Sequence, residues 1–323
     1  MKTSLRSSHF LAVLSLGLAL CAPVVVRAAD PMPLKSATIG GGITLHYIEK
    51  GHGPTVIFVH GSLGDYSYWQ DQVRSFAPRY RAIAYSRRYN YPNDNPAQVD
   101  YSAITDAEDL SKLIDALHLG RVYVVSHSYG ALTALFLAKS HPEKIRAMVL
   151  AEPPAVSLLQ HLSPPDTRAG EDAFADIQSR MIAPMRKAFA RGDTDRGVAA
   201  FIDYVFAKPG AWDAMSSEAH QETLKDAHEW QVMMTSGTLF PEIKVEDVRE
   251  IEVPTLLVSG ARSYSFLGLI DRELERTLPH AQRIVFGDAG HQMWLAHPVE
   301  CRTYTEAFFE MSSPHPEAHD DAK

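Results

Sequence analysis

The stretch Val122-Tyr123-Val124-Val125-Ser126-His127-Ser128-Tyr129-Gly130-Ala131-Leu132 constrains the fold more than any other part of the chain. A β-branched run stops abruptly at small and polar residues, and an Ala/Leu-rich helical pattern begins at once. A strand that turns directly into a helix is the repeating step of a parallel α/β sheet. A serine at such a turn stands proud of the backbone beside the positive end of a helix dipole, where a weak alcohol becomes a usable nucleophile. The segment Ser126 to Gly130 is close to G-x-S-x-G, with Ser126 in place of the first glycine, a position that asks only for a small residue.

Two other stretches add to this. Thr55-Val56-Ile57-Phe58-Val59 is an apolar run without alternation, the mark of a strand buried on both faces, and it ends in His60-Gly61-Ser62-Leu63-Gly64. Glycines there let backbone N–H groups turn toward a ligand, as an oxyanion hole requires. Far downstream, the short strand Arg283-Ile284-Val285-Phe286 leads into Gly287-Asp288-Ala289-Gly290-His291, placing a histidine on a loop just past a strand. A neutral imidazole at that place can take the Ser128 proton and return it to a leaving group.

The order of HG loop, serine elbow and late GH loop resembles the α/β-hydrolase superfamily over roughly residues 36 to 311. The resemblance implies a mostly parallel central sheet flanked by helices, with Ser128 as nucleophile and His291 as base. The amides of Ser62 and Tyr129 would form the oxyanion hole. Members usually carry the orienting Asp after the strand that here is Leu256 to Val258, but the loop Gly260-Ala261-Arg262-Ser263 holds no carboxylate before Asp271. Other members place the acid after the preceding strand, where Glu152 closes Ile145 to Ala151. Glu152 is therefore the expected acid, with Asp271 and Asp288 as alternatives. His60 and His127 flank the nucleophile and are candidate substrate contacts. Arg87, in the cationic and aromatic loop Arg87-Arg88-Tyr89-Asn90-Tyr91-Pro92, is suited to grip a substrate carboxylate and equally suited to pair with an acid of the chain. Trp294, with Trp69 and Met293, is a candidate pocket wall or core.

Hydrophobic periodicity predicts a hairpin over 36–50 turned by Gly40-Gly41-Gly42, strands at 55–59, 81–85, 145–151, 254–258 and 283–286, and helices at 68–76, 106–117 and 298–311. Between 155 and 247 no strand pattern occurs; helices over 174–190, 198–206 and 217–234 are expected to form a cap, leaving 36–154 and 248–311 as the core. Residues 1–28 have the layout of a cleaved signal peptide: Lys2 and Arg6, an apolar run from Phe10 to Leu20 too short for a comfortable span, then Val26-Arg27-Ala28. The expectation is a periplasmic or secreted protein without a membrane span after cleavage. The polar tail 312–323 is expected to be disordered.

The chain has 323 residues and a formal charge of −8, and no basic run is longer than a pair such as Arg87-Arg88, which argues against a nucleic-acid partner. No zinc-type Cys/His cluster or phosphate-binding glycine loop occurs, so no cofactor is expected. Removal of the leader would leave Cys301 alone, read as buried filler. The expected activity is cleavage of a carboxylic ester of a small molecule through an acyl-enzyme. Alternatives on the same scaffold are a C–C bond hydrolase, a lactonase, a cofactor-free perhydrolase or a non-catalytic binding protein. A serine at the elbow argues against haloalkane dehalogenase and epoxide hydrolase chemistry, for which the resemblance implies Asp as nucleophile.

Overall fold

The structure is a computed structural model that describes residues 31–312. The signal peptide expected over 1–28 and, apart from Ser312, the tail expected over 312–323 lie outside those residues.

Eight strands form one sheet in the order β1-β2-β4-β3-β5-β6-β7-β8. β1 (Lys35–Thr38) and β2 (Thr44–Lys50) make the expected hairpin, and β2 pairs antiparallel with β4 (Arg81–Tyr85). β3 (Thr55–Val59), β5 (Val122–His127), β6 (Ile145–Ala151), β7 (Thr255–Gly260) and β8 (Ala281–Phe286) continue it in parallel. β3 and β5 are buried throughout, the consequence of apolar runs covered on both faces. Side chains alternate between two cores: Ile57, Val59, Val124 and Leu150 face one, while Val56, Phe58, Val125 and Val149 face the other.

Helices α1 (Gln70–Phe76), α2 (Ala103–Ala116) and α3 (Tyr129–Ser140) cover the first half of the sheet. A helical insertion follows β6, with α4 (Thr167–Asp176), α5 (Ala183–Phe189), α6 (Thr194–Val205), α7 (Ser217–Leu224), α8 (His228–Ser236) and α9 (Val245–Arg249). The chain then returns through β7, α10 (Ser265–Thr277), β8, α11 (Met293–Ala296) and α12 (Pro298–Ser312). The last helix buries Cys301.

Differences from the sequence expectation lie in the helices and have local causes. α2 begins before Asp106 because Ser102 caps it and forms a capping box with Thr105. The helix expected over 174–190 starts earlier and is interrupted by a π-helical stretch, Ile177–Ile182. The one expected over 217–234 is two helices, α7 and α8, with Lys225 to Ala227 between them. α10 is not among the expected helices; it buries Leu267, Ile270 and Leu274 along one face, with Asp271 and Glu273 buried beside them.

Candidate active site

Strand register brings the three distant motifs to one edge. Val59 lies opposite Ser126, Ser126 opposite Leu150, and Leu150 opposite Leu257. The residues that follow (His60 and Gly61, Ser128, Glu152, Ser259 and Gly260) therefore emerge together at the carboxyl edge of the parallel strands, where α/β sheets bind ligands.

Ser128 sits between β5 and α3 with φ 54° and ψ −124°. A positive φ at a non-glycine residue is uncommon and costs on the order of 1–3 kcal/mol, so the surroundings must hold it. They do: the Ser128 amide donates to Ala151 O at 2.8 Å. Gly130 is required two residues on, because a Cβ there would collide with the carbonyl oxygens of Val59 and His60. Ser126 is buried and donates its hydroxyl to Val149 O at 2.8 Å, so it spans strands and stays out of the site. The Tyr129 amide opens α3 and has no preceding helical turn to bond.

His291 leaves the loop after β8 and meets Glu152, with Nδ1–H donating to Oε2 at 2.5 Å. Glu152 also has a positive φ, 50°, and is 1% exposed. Its carboxylate is held from two more directions, accepting from the Gly260 amide at 2.8 Å and from the Ser263 hydroxyl at 2.6 Å. Gly260 admits no side chain, since a Cβ there would meet the Ala289 and Gly290 carbonyls at 2.5 Å. A proton fixed on Nδ1 leaves the Nε2 lone pair of a neutral imidazole available. His291, Ser128, Ser62 and Tyr129 all border one cavity of about 300 Å³. One wall of that cavity is the core edge; the other is the helical insertion, through Met181, Phe201, Ile202 and Trp230.

The alternative acids are elsewhere. Asp271 lies fully buried in α10 and accepts from the Ser259 hydroxyl at 2.5 Å, with burial pushing its carboxyl up to about 8. Asp288 is on the surface, 69% exposed, paired with His297 at 3.1 Å.

His60 and His127 border the cavity, but both His60 ring nitrogens and the His127 Nε2 serve the backbone. His60 Nδ1–H donates to Gly61 O at 2.8 Å, and Nε2 accepts from the Arg87 amide at 3.0 Å; burial and the Arg87 charge hold it down to about 3, hence neutral. His127 donates from Nε2 to His291 O at 2.8 Å and so fixes the loop that carries the candidate base. Burial first, then His291, keeps His127 neutral.

Two expected substrate contacts need correction. Arg87 is fully buried behind the site, donating to Asp106 at 2.7 Å and to Glu229, because two carboxylates inside the protein compensate a desolvated cation better than an open cavity would. Trp294 is 1% exposed and packs edge-on against Trp69 at 5.1 Å in the core on the opposite face of the sheet from α3, away from the cavity.

Glu229 is a residue that sequence reasoning missed. It projects from α8 of the insertion, is fully buried, and accepts from the Leu63 amide at 2.6 Å as well as from Arg87. It thereby ties the insertion to the loop that carries Ser62. Glu229→Gln must set an N–H against another N–H whichever way the amide turns, since Leu63 and Trp230 donate to one oxygen and Arg87 to the other. The expected result is a stability loss of about 3–5 kcal/mol, with kcat reduced about 10²-fold and KM nearly unchanged at temperatures where the variant is folded. An unchanged kcat would show that Glu229 acts on stability alone.

Asp226, also in the insertion, is buried with Oδ1 accepting from the Tyr91 amide at 2.7 Å and Oδ2 without a partner. Burial pushes its carboxyl up from 3.8 to about 7, with the Tyr91 amide and, less, Lys225 opposing the shift and Asp65 and Glu229 adding to it. The folded protein then holds a proton that the unfolded chain releases, so this group costs stability as pH rises from about 4 to about 7, and the loss levels off above that. Asp226→Asn should stabilise the protein on the order of 1–3 kcal/mol at pH 8 and hardly at all at pH 4. Thermal unfolding at both pH values checks this, and equal shifts would contradict it.

Among the described residues, no group of three or more His, Cys, Asp or Glu side chains is placed to hold a metal ion, and no helix is long and apolar enough to cross a membrane.

The fold and the edge geometry define an α/β hydrolase. A family model described as alpha/beta hydrolase fold matches residues 54–298, and the chain belongs to that family. Two of its curated relatives are named as hydrolases. Epoxide hydrolase 3 of Mus musculus is 24% identical over 312 residues, covering 89% of this chain and 78% of that protein. The 2-(acetamidomethylene)succinate hydrolase of Mesorhizobium japonicum is 30% identical over 141 residues, 43% of this chain and 50% of that protein. Among solved structures, epoxide hydrolase VrEH1 from Vigna radiata aligns with a TM-score of 0.67 at 20% identity, over 88% of this chain and 99% of that one. The enol-lactonase from Burkholderia xenovorans LB400 aligns with a TM-score of 0.64 at 18% identity, over 85% and 99%. At these identities the solved structures speak for the fold alone.

Proposed function

We propose that this chain is a serine hydrolase that cleaves a carboxylic ester of a small molecule through an acyl-enzyme on Ser128. The observation that carries the reading is the 2.5 Å contact of His291 Nδ1 with Glu152, made by an imidazole that borders the same cavity as Ser128. In this reading the Ser128 oxygen attacks the carbonyl carbon while His291 Nε2 takes its proton. Glu152 stabilises the imidazolium, and the Tyr129 and Ser62 amides receive the oxyanion. The imidazolium protonates the departing alcohol. Water, deprotonated by the same imidazole, then attacks the acyl carbon, and Ser128 leaves with its proton restored.

An alcohol at the elbow supports acyl transfer over epoxide opening, despite the likeness to epoxide hydrolases. A lactone is an internal ester and falls under the same chemistry. The test is labelling of the protein with an alkyl fluorophosphonate, followed by peptide mass spectrometry. The adduct is expected on Ser128; an adduct elsewhere, or none, removes the reading.

A further inference from the structure

We infer that the cavity takes an uncharged, largely apolar acyl group and rejects one that carries a carboxylate. The inference rests on the reading that this cavity is the substrate site, and it names the class of substrate. Among the described residues that border it, none is Lys, Arg, Asp or Glu. The insertion contributes Phe201, Ile202, Val205, Phe206 and Trp230, and the segment after β7 adds Phe266 and Leu267. The two histidines at its floor besides His291 are held neutral by burial.

Two nearby cations are already paired inside the protein. Arg87 is locked between Asp106 and Glu229, and Lys225 is paired with Asp65 and Glu222. Beyond Phe240, Arg186 borders a neighbouring cavity, but Glu242 borders that cavity too. The Glu152 carboxylate, hydrogen-bonded to His291 at the cavity edge, adds a negative charge that repels an anion. A substrate carboxylate would therefore lose its water without gaining a partner, which is the costly way to bury a charge. At about 300 Å³ the cavity is at the small end of ligand pockets, which run from roughly 300 to 1,000 Å³. The acyl group is accordingly a short alkyl chain or a single ring.

The experiment compares p-nitrophenyl pentanoate with mono-p-nitrophenyl glutarate, which differ in ending in a methyl or a carboxylate. With the wild-type protein, kcat/KM for the pentanoate is expected to exceed that for the glutarate by at least about 100-fold, a lower bound for an uncompensated buried charge. The same pair is titrated calorimetrically into Ser128→Ala, which reports binding without turnover. If the wild type hydrolyses neither ester but the variant binds the pentanoate and not the glutarate, the inference stands and the acyl-enzyme reading falls. A pentanoate preference below about 100-fold in kcat/KM, equal binding of the two esters, or no turnover together with no binding of either, overturns the inference.

Discussion

Replacing Ser128 by alanine should lower ester turnover by roughly a million-fold, the size of loss seen when a serine-hydrolase nucleophile is removed. The prediction follows from the backbone more than from the residue type. Ser128 holds a left-handed conformation at the end of β5, its amide is pinned to Ala151 O, and its side chain opens on the cavity that His291 also borders. Alanine adopts the same strained φ at comparable cost, so thermal stability should change by less than about 0.5 kcal/mol. Steady-state rates on a chromogenic ester, with a melting curve of the same preparation, check both halves. A loss below about tenfold would mean that another group supplies the nucleophile.

The second large effect separates the candidate acids. Glu152→Gln should lower kcat by roughly 10³- to 10⁴-fold, because it selects the wrong imidazole tautomer. A glutamine there can still accept the Gly260 amide, but its NH₂ then faces His291 Nδ1. The ring must accept at Nδ1 and carry its proton on Nε2, where the lone pair was needed. Asp271→Asn should cost less than about tenfold. Asp271 is pushed up to about 8 by burial, so near neutrality it already carries a proton and an amide imitates it. Rates for the two variants measured side by side at neutral pH decide the matter. A greater loss in Asp271→Asn would move the acid to α10.

Much of this fold can be read from local pattern. The strands that form the centre of the sheet are apolar runs set off by Gly, Pro and polar residues, and burial on both faces leaves that composition little freedom. The elbow is legible because its demands are local: a strand, a small residue, a serine and a glycine that lets the helix pass close to the His60 carbonyl. The helices of the insertion are harder to bound. Their ends depend on caps and on packing against each other, and a π-helical stretch such as Ile177–Ile182 leaves no periodic trace.

The site divides in the same way. Glu152 could be nominated from its place after β6, but its three hydrogen-bond donors, Gly260, Ser263 and His291, lie more than a hundred residues away along the chain. Arg87 shows the limit most clearly. Its cationic, aromatic loop looks like a ligand grip, and nothing local tells that Asp106 and Glu229 close on it from two other elements.

What the sequence by itself determined is the order of the strands' chemistry: an alcohol at one strand end, an imidazole after another, and the alternation that makes the sheet. Which carboxylate reaches the imidazole, which cation is consumed inside the protein, and how apolar the cavity is were decided only by tertiary structure. The physical reason is that charges and hydrogen bonds act over a few ångströms in space, whereas pattern along the chain reports only the neighbours that covalent geometry brings close.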